Sequence, residues 1–337
     1  MKKNIELNQK RLIENIKKII LDSRRSAAIS VNHELIAAYW NIGKVIIDNE
    51  KANNVDTTSS RQIILELSKR LTVEIGRGFS RSNLFNMRKF YIEYTDVQTL
   101  SGQLTWSHVC ELLIIEDVQK KEFYEKEAIN SSWSVRELKR QIDSSLYERL
   151  LLSKGRANKE HVIELSKKGQ QIIKPEDIVK DPYVFEFLGV PEHKPIFEKE
   201  LEKRLVRHIE DFLLELGRGF MFVGTQQRIT INNTHHYVDM VFYNKILRSY
   251  ILIELKIRKL KIEDAGQLNT YLNYYKTEIN DKGDNPPIGI VLCAEKDEIA
   301  AEYILGGLEN NVFASKFTYV LPNKEELIRE LENVVKK

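Results

Sequence analysis

Cysteine is nearly absent from this chain. Cys110 and Cys293 are the only two in 337 residues, far apart and outside any metal-type spacing. Buried free thiols in a reducing cytoplasm are the simplest reading. Long apolar runs are also missing. None approaches membrane-spanning length, so no membrane association is expected. The start, "MKKNIELNQKRLIENIKK", is basic but has no apolar core, which argues against a signal peptide. A large charge excess is lacking too: the net charge is +3, so any nucleic-acid binding must come from local patches. There is no low-complexity tract, and no internal repeat beyond an echo of Trp-Ser pairs. What remains is a hydrophobic fraction of 42% and a charged fraction of 30%, typical of a globular protein. The length suffices for two domains with real cores.

Residues 1–152 read as a helical domain. "LIENIKKIIL", "HELIAAYWNIGKVII" and "SSRQIILELSKRLTVEIG" repeat apolar residues at three- and four-residue steps. Gly76 and Gly78 end one helix, and Ser80 is placed to cap the next, which begins at Arg81. Ser107 and Ser134, each after a Trp, are candidate caps for two later helices. Residues 153–180 are polar and Lys-rich and read as a linker. From 181 to 337 the pattern changes to a helix, three strands, then helix, strand, helix, strand and a final helix. Three mainly antiparallel strands followed by an α/β return imply a mixed sheet with helices on both faces.

The hairpin "HYVDMVFYNKILRSYILIELKIRKL" carries charge where core is expected. A turn centred between Ile246 and Leu247 sets Asp239 directly opposite Glu254, with Cβ atoms about 5 Å apart. Lys256 shares the face of Glu254. The opposite face, Val238, Met240 and Phe242 against Ile251, Ile253 and Leu255, is wholly apolar. Two carboxylates side by side in a partly dry site resist ionising together. A divalent cation resolves that conflict, and hard oxygen ligands suit Mg²⁺ (or Mn²⁺). With a lysine beside them, the set fits phosphodiester hydrolysis by a Lewis-acid metal, an activated water and a cationic clamp. The competing reading is a buried Lys–Glu pair with a solvated Asp at a strand end. A lone D…ExK pattern is weak; opposed strands in register make it more specific.

These segments resemble a known family. "VDMVFYNKILRSYILIELK" with "AGQLNTYLNYY", "DPYVFEFLG" and "NPPIGIVLC" are similar to the YhcG family of bacterial proteins, whose C-terminal domain belongs to the PD-(D/E)XK nuclease superfamily. "AYWNIGKVI", "GFSRSNLFNMRKFY", "WSHVCELL" and "FYEKEAINSSWSVRELKRQIDSSLYERL" resemble its helical N-terminal domain. The resemblance covers nearly the whole chain. It implies a restriction-endonuclease-like α/β/α fold for 181–337, with metal held by Asp239, Glu254 and the Leu255 carbonyl. It implies that Lys256 orients and helps activate the attacking water, and that Gln267 joins the site with Tyr271 one turn further on. Glu202 matches an acid on the first helix of such domains. The proline of the motif's name is absent here, and Val238 precedes Asp239.

Other candidates are weaker. Strand alternation lets at most His235, not His236, approach Asp239. Glu263 and Asp264 open a helix, where acids favour the positive dipole end, and His208 reads as a surface or boundary residue. "GFSRSNLFNMRKFY" resembles the second half of a helix-turn-helix, with Arg81, Arg88 and Lys89 available to DNA; an ordinary capped helix with a basic face explains it as well. Arg136, Lys139 and Arg140 read as a solvated basic stripe. The expectation is thus a two-domain α+β, Mg²⁺-dependent, cytoplasmic nuclease acting on DNA, with no organic cofactor. Its N-terminal domain would bind DNA or mediate dimerisation, and homo-oligomerisation stays open. The alternatives are a non-cleaving nucleic-acid-binding or protein-interaction protein on a nuclease fold, and an RNA-directed activity.

Overall fold

The computed structural model describes residues 2–94, 104–152, 159–191 and 196–335. Residues 153–158, the start of the expected linker, lie outside the described residues. The chain forms two compact units, Met1–Lys121 with Glu127–Leu138, and Glu122–Lys126 with Lys139–Lys337. Among the described residues, no helix is long and apolar enough to cross a membrane.

The first unit is helical. Its elements are α1 (Lys2–Ala52), α2 (Thr57–Glu74), α3 (Arg81–Glu93) and α4 (Trp106–Leu112), followed by most of α5 (Val118–Asn130) and the start of α6 (Val135–Asp143). Ile46, Ile64, Leu84 and Met87 form the core between α1, α2 and α3. Gly43 permits the close approach of α1 to α3: a Cβ there would stand 2.1 Å from the Met87 carbonyl oxygen. Gly76 and Gly78 take φ of 112° and 115°, conformations that end α2. Ser80 then accepts the Asn83 N–H at 3.2 Å and starts α3. Ser134 caps α6 in the same way, in a reciprocal exchange with Glu137. At α4 the expected cap moves: Thr105, not Ser107, precedes the first turn, its N–H donating to His108 Nδ1 at 3.1 Å.

The second unit takes in the end of α6, α7 (Leu146–Leu152) and α8 (Lys159–Lys168), then β1 (Tyr183–Val184), α9 (Glu198–Arg207) and α10 (Ile209–Leu216). The hairpin strands β2 (Phe220–Ile231), β3 (Thr234–Asn244) and β4 (Ser249–Lys259) follow, then α11 (Ile262–Tyr274), β5 (Ile288–Glu295), α12 (Glu298–Leu305), β6 (Asn311–Thr318) and α13 (Lys324–Val335). One six-stranded sheet runs in the order β1-β6-β5-β4-β3-β2. β2, β3 and β4 pair antiparallel, and β4, β5, β6 and β1 pair parallel. Leu201, Leu205, Phe212 and Leu216 from α9 and α10 pack on one face against Phe242, Ile253 and their neighbours. Leu268, Tyr271 and Leu272 from α11 pack on the other against Val241, Leu252 and Val291. This is the α/β/α restriction-endonuclease-like architecture.

A buried ion cluster ties α6 and α7 to this sheet. Arg149 and Glu215 are both fully buried, 2.5 Å apart. Arg149 also donates to the Ser144 and Pro182 carbonyls, and Glu215 accepts the Val184 N–H at 3.0 Å. Arg140 reaches Glu215 at 3.3 Å and Glu186 at 2.7 Å. Burial opposes the charge on Glu215, but Arg149, Lys180 and Arg140 outweigh it and pull its carboxyl down to about 2. Arg140 is therefore a half-buried, ion-paired residue rather than part of a solvated stripe with Arg136 and Lys139, which stay exposed.

Candidate active site

The β3–β4 ladder has the register expected from its turn. Met240 pairs with Ile253, Phe242 with Ile251, and Asn244 with Ser249. Asp239 and Glu254 come next in that register, but the paired ladder ends at Met240 and Ile253. There the side chains replace the backbone bonds. Asp239 Oδ2 accepts the Leu255 N–H at 2.9 Å, and Glu254 Oε1 lies 3.4 Å from the Asp239 N–H. Each acid is thereby held by the other's strand. Lys256 Nζ stands 3.2 Å from Glu254 Oε2.

β3 changes face at this point. Val238 packs with Val241 and Leu252 on the α11 side, whereas Met240 and Phe242 pack on the opposite side. Strict alternation would put Val238 with Met240. On the neighbouring strand, Gln226 has φ 47°, a left-handed conformation unusual outside glycine. It falls between the Thr225–Met240 and Gln227–Val238 pairs, opposite Asp239. This break overturns the parity expectation for the histidines. His236 comes within 5.9 Å of the Tyr271 ring, while His235 bonds to Thr230 Oγ1 at 3.0 Å on the exposed side. It also places Val238, expected on the wholly apolar face, in the α11-side core.

The electrostatics follow from burial of like charge. Glu254 is 1% exposed. Burial first, and then the Asp239 carboxylate, push it up to about 7, with Lys256 pulling the other way. Burial also raises Asp239, against the Leu255 N–H and Lys256. Burial alone would lower Lys256, but Glu254 and Asp239 more than compensate and keep it protonated. Tyr271 is raised chiefly by burial, and it feels the charges of Glu254, Lys256 and Asp239. Gln267 donates to the Tyr271 hydroxyl at 2.7 Å, so it reaches the site through that phenol.

Two residues escape a reading of the sequence. Gln226 donates its amide to Glu202 Oε2 at 2.8 Å and to Asp239 Oδ1 at 3.2 Å, drawing α9 to the hairpin. Glu198, one turn before Glu202 on the same helix face, accepts the Ile257 N–H at 3.2 Å. Its i, i+4 spacing from Glu202 is the available signal; nothing local marks Gln226. Asp264 does more than favour a helix dipole: it forks onto Arg258 with two bonds of 2.7 Å.

The donor set suits a hard cation. Among the described residues, no three His, Cys, Asp or Glu side chains gather closely enough to cage an ion. Two carboxylates, a backbone carbonyl and water are a normal complement for Mg²⁺, and the raised Asp239 and Glu254 have the most to gain from one.

The expected DNA-facing cations of α3 are arranged differently. Arg88 turns inward and forks onto Glu50, which is 8% exposed and also holds Ser60. Lys89 donates to the Leu113 carbonyl at 2.6 Å and lies 3.5 Å from Glu93. Arg81 is exposed, over the Phe85 ring, and the Lys89 side chain also stays 42% exposed.

Residues 176–332 match the model of the YhcG PDDEXK nuclease domain, and residues 15–149 that of the DUF1016 N-terminal domain. A protein of Escherichia coli (strain K12) named "Putative nuclease YhcG" is 37% identical over 93% of this chain and 91% of its own length. Among solved structures, a repair endonuclease from Pyrococcus abyssi aligns with 17% identity and TM-score 0.27, over 40% of this chain and 50% of that one. EndoMS in apo form aligns with 17% identity and TM-score 0.26, over 39% and 49%. The chain thus spans about half the length of these two solved structures. With both family models matched in order, and more than a third of the residues shared along nearly the whole length of a relative, this chain belongs to the YhcG family.

Proposed function

We propose that the protein is a nuclease that hydrolyses DNA phosphodiester bonds with a divalent cation, Mg²⁺ or Mn²⁺. One observation carries this reading: Asp239, Glu254 and Lys256 meet where the β3–β4 ladder ends, with Glu254 buried beside a like charge. Asp239, Glu254 and the Leu255 carbonyl would hold the cation. When bound, it supplies Lewis acidity to the phosphoryl oxygen and to the attacking water.

The chain's own groups do the rest. Lys256 remains an ammonium in this field. It therefore acts as a donor that orients water and stabilises charge developing on the phosphoryl group, rather than as a base. The Leu255 N–H fixes the Asp239 carboxylate, so that acid needs little reorganisation when charge appears beside it. Tyr271, buried and held by Gln267, lines the α11 side of the site.

The test is incubation of purified protein with linear, nicked, branched and single-stranded DNA, and with RNA, in Mg²⁺, Mn²⁺ or chelator. Asp239→Asn, Glu254→Gln and Lys256→Ala are run beside it. Cleavage that needs the cation and disappears in each variant, with circular dichroism unchanged, supports the reading. Cleavage that survives all three changes would place the active site elsewhere.

A further inference from the structure

The geometry points to Gln226 as a positioning residue that ties Glu202 of α9 to Asp239 and so sets the cation affinity of the site. The inference rests on the nuclease reading above and adds a residue to it. Glu202 and Asp239 come from different elements, and both are acids. Placed together without a donor between them, they repel. The Gln226 amide supplies that donor. One NH₂ group has two hydrogens, and here one lies toward each carboxylate, at 2.8 Å and 3.2 Å.

The backbone shows how the side chain gets there. Gln226 takes φ 47° in the middle of a strand whose other described residues need no such conformation. A left-handed residue inside a strand is strained for any residue with a Cβ, and such strain persists where the surroundings over-determine it. The residue held in this way stands opposite Asp239, at the point where β3 changes face. Strain, change of face and acid coincide at one position. A neutral amide is well matched to this position, because it bridges two carboxylates without adding a positive charge that would compete with the cation.

Two variants separate this role from a merely structural one. Gln226→Gly removes the amide and relieves the left-handed backbone. Gln226→Met keeps length and backbone demand but carries no donor. The probe is Mn²⁺ alone, titrated by calorimetry into the full-length chain, alongside metal-free melting curves. Both variants are expected to bind Mn²⁺ about tenfold more weakly, the usual effect of losing a group that orients a ligand, while Gln226→Gly melts no lower than the parent. Cleavage by both should fall at low Mn²⁺ and recover at saturating Mn²⁺. A Gln226→Gly protein that binds Mn²⁺ as tightly as the parent overturns the proposal. If the parent and Asp239→Asn bind Mn²⁺ equally poorly, it is the nuclease reading that fails. A crystal structure of metal-free Gln226→Gly then decides the tie by itself: Glu202 turned away from Asp239 supports it, and Glu202 still in place refutes it.

Discussion

Replacing Glu254 with glutamine should stabilise the metal-free protein, and only above mildly acidic pH. Glutamine is the isostere of the protonated acid. The ordinary carboxyl value of 4.5 describes the unfolded chain, and the folded value is about 7. Below pH 4.5 the acid is protonated in both states, and its ionisation costs nothing. Between 4.5 and 7 the unfolded chain ionises while the folded one resists, so parent stability falls as pH rises. Above 7 the penalty is complete and constant. At about 1.4 kcal/mol per unit, the ceiling is about 3 kcal/mol. For a unit of roughly 200 residues, each kcal/mol moves the melting temperature by about 2–4 °C. Melting of parent and Glu254→Gln from pH 4 to pH 8, with chelator present, should give curves that coincide at the acid end and separate by several degrees at the other. Added Mg²⁺ should narrow the gap by stabilising the parent alone. A variant that melts at or below the parent at pH 8 would refute the reasoning, because Glu254 would then not be a charge held at a cost.

Other outcomes follow from the same structure. Mg²⁺ must displace the proton on Glu254, so its affinity should rise by up to about tenfold per pH unit below 7 and level off above, as followed by calorimetry. Arg149→Met leaves Glu215 buried with weaker partners and should cost about 3–5 kcal/mol in a urea titration. Because Glu215 is depressed to about 2, its contribution is present above pH 4.5 and is lost as pH falls toward 2. The acid limb of the stability curve should therefore shrink in that variant. Arg88→Ala should lower the melting temperature by breaking the fork onto Glu50, whereas Arg81→Ala should leave melting unchanged and reduce the salt slope of DNA binding. A DNA-binding loss confined to Arg88→Ala, with melting intact, would reverse those two roles.

The hairpin is legible in the sequence because its apolar faces and turn residues define one register, and a one-residue slip would bury the wrong face. Asp239, Glu254 and Lys256 can be placed together from that alone. The face change at Asp239 cannot. Alternation assumes an unbroken strand, and the break depends on the left-handed Gln226 in a different strand. The approach of His236 to Tyr271 is hidden for the same reason. The inward turn of Arg88 depends on Glu50, thirty-eight residues earlier, and no local pattern reports such a partner. Arg140 reads as solvated because its acids, Glu186 and Glu215, lie 46 and 75 residues further along the chain.

The Arg149–Glu215 pair also bears on how such a protein could be inherited. The family models meet the chain as two successive segments, ending at 149 and beginning at 176. The second compact unit does not respect that seam, since it takes in Lys139 onward. A recombination event that carried off residues 176–332 alone would deliver Glu215 buried on α10 beside β1, with the guanidiniums of Arg140 and Arg149 left behind. A successful transfer must either carry the last helices of the preceding segment or replace the carboxylate in the same step. The last helices of the first segment thus belong structurally to the second, although the two read as separable modules.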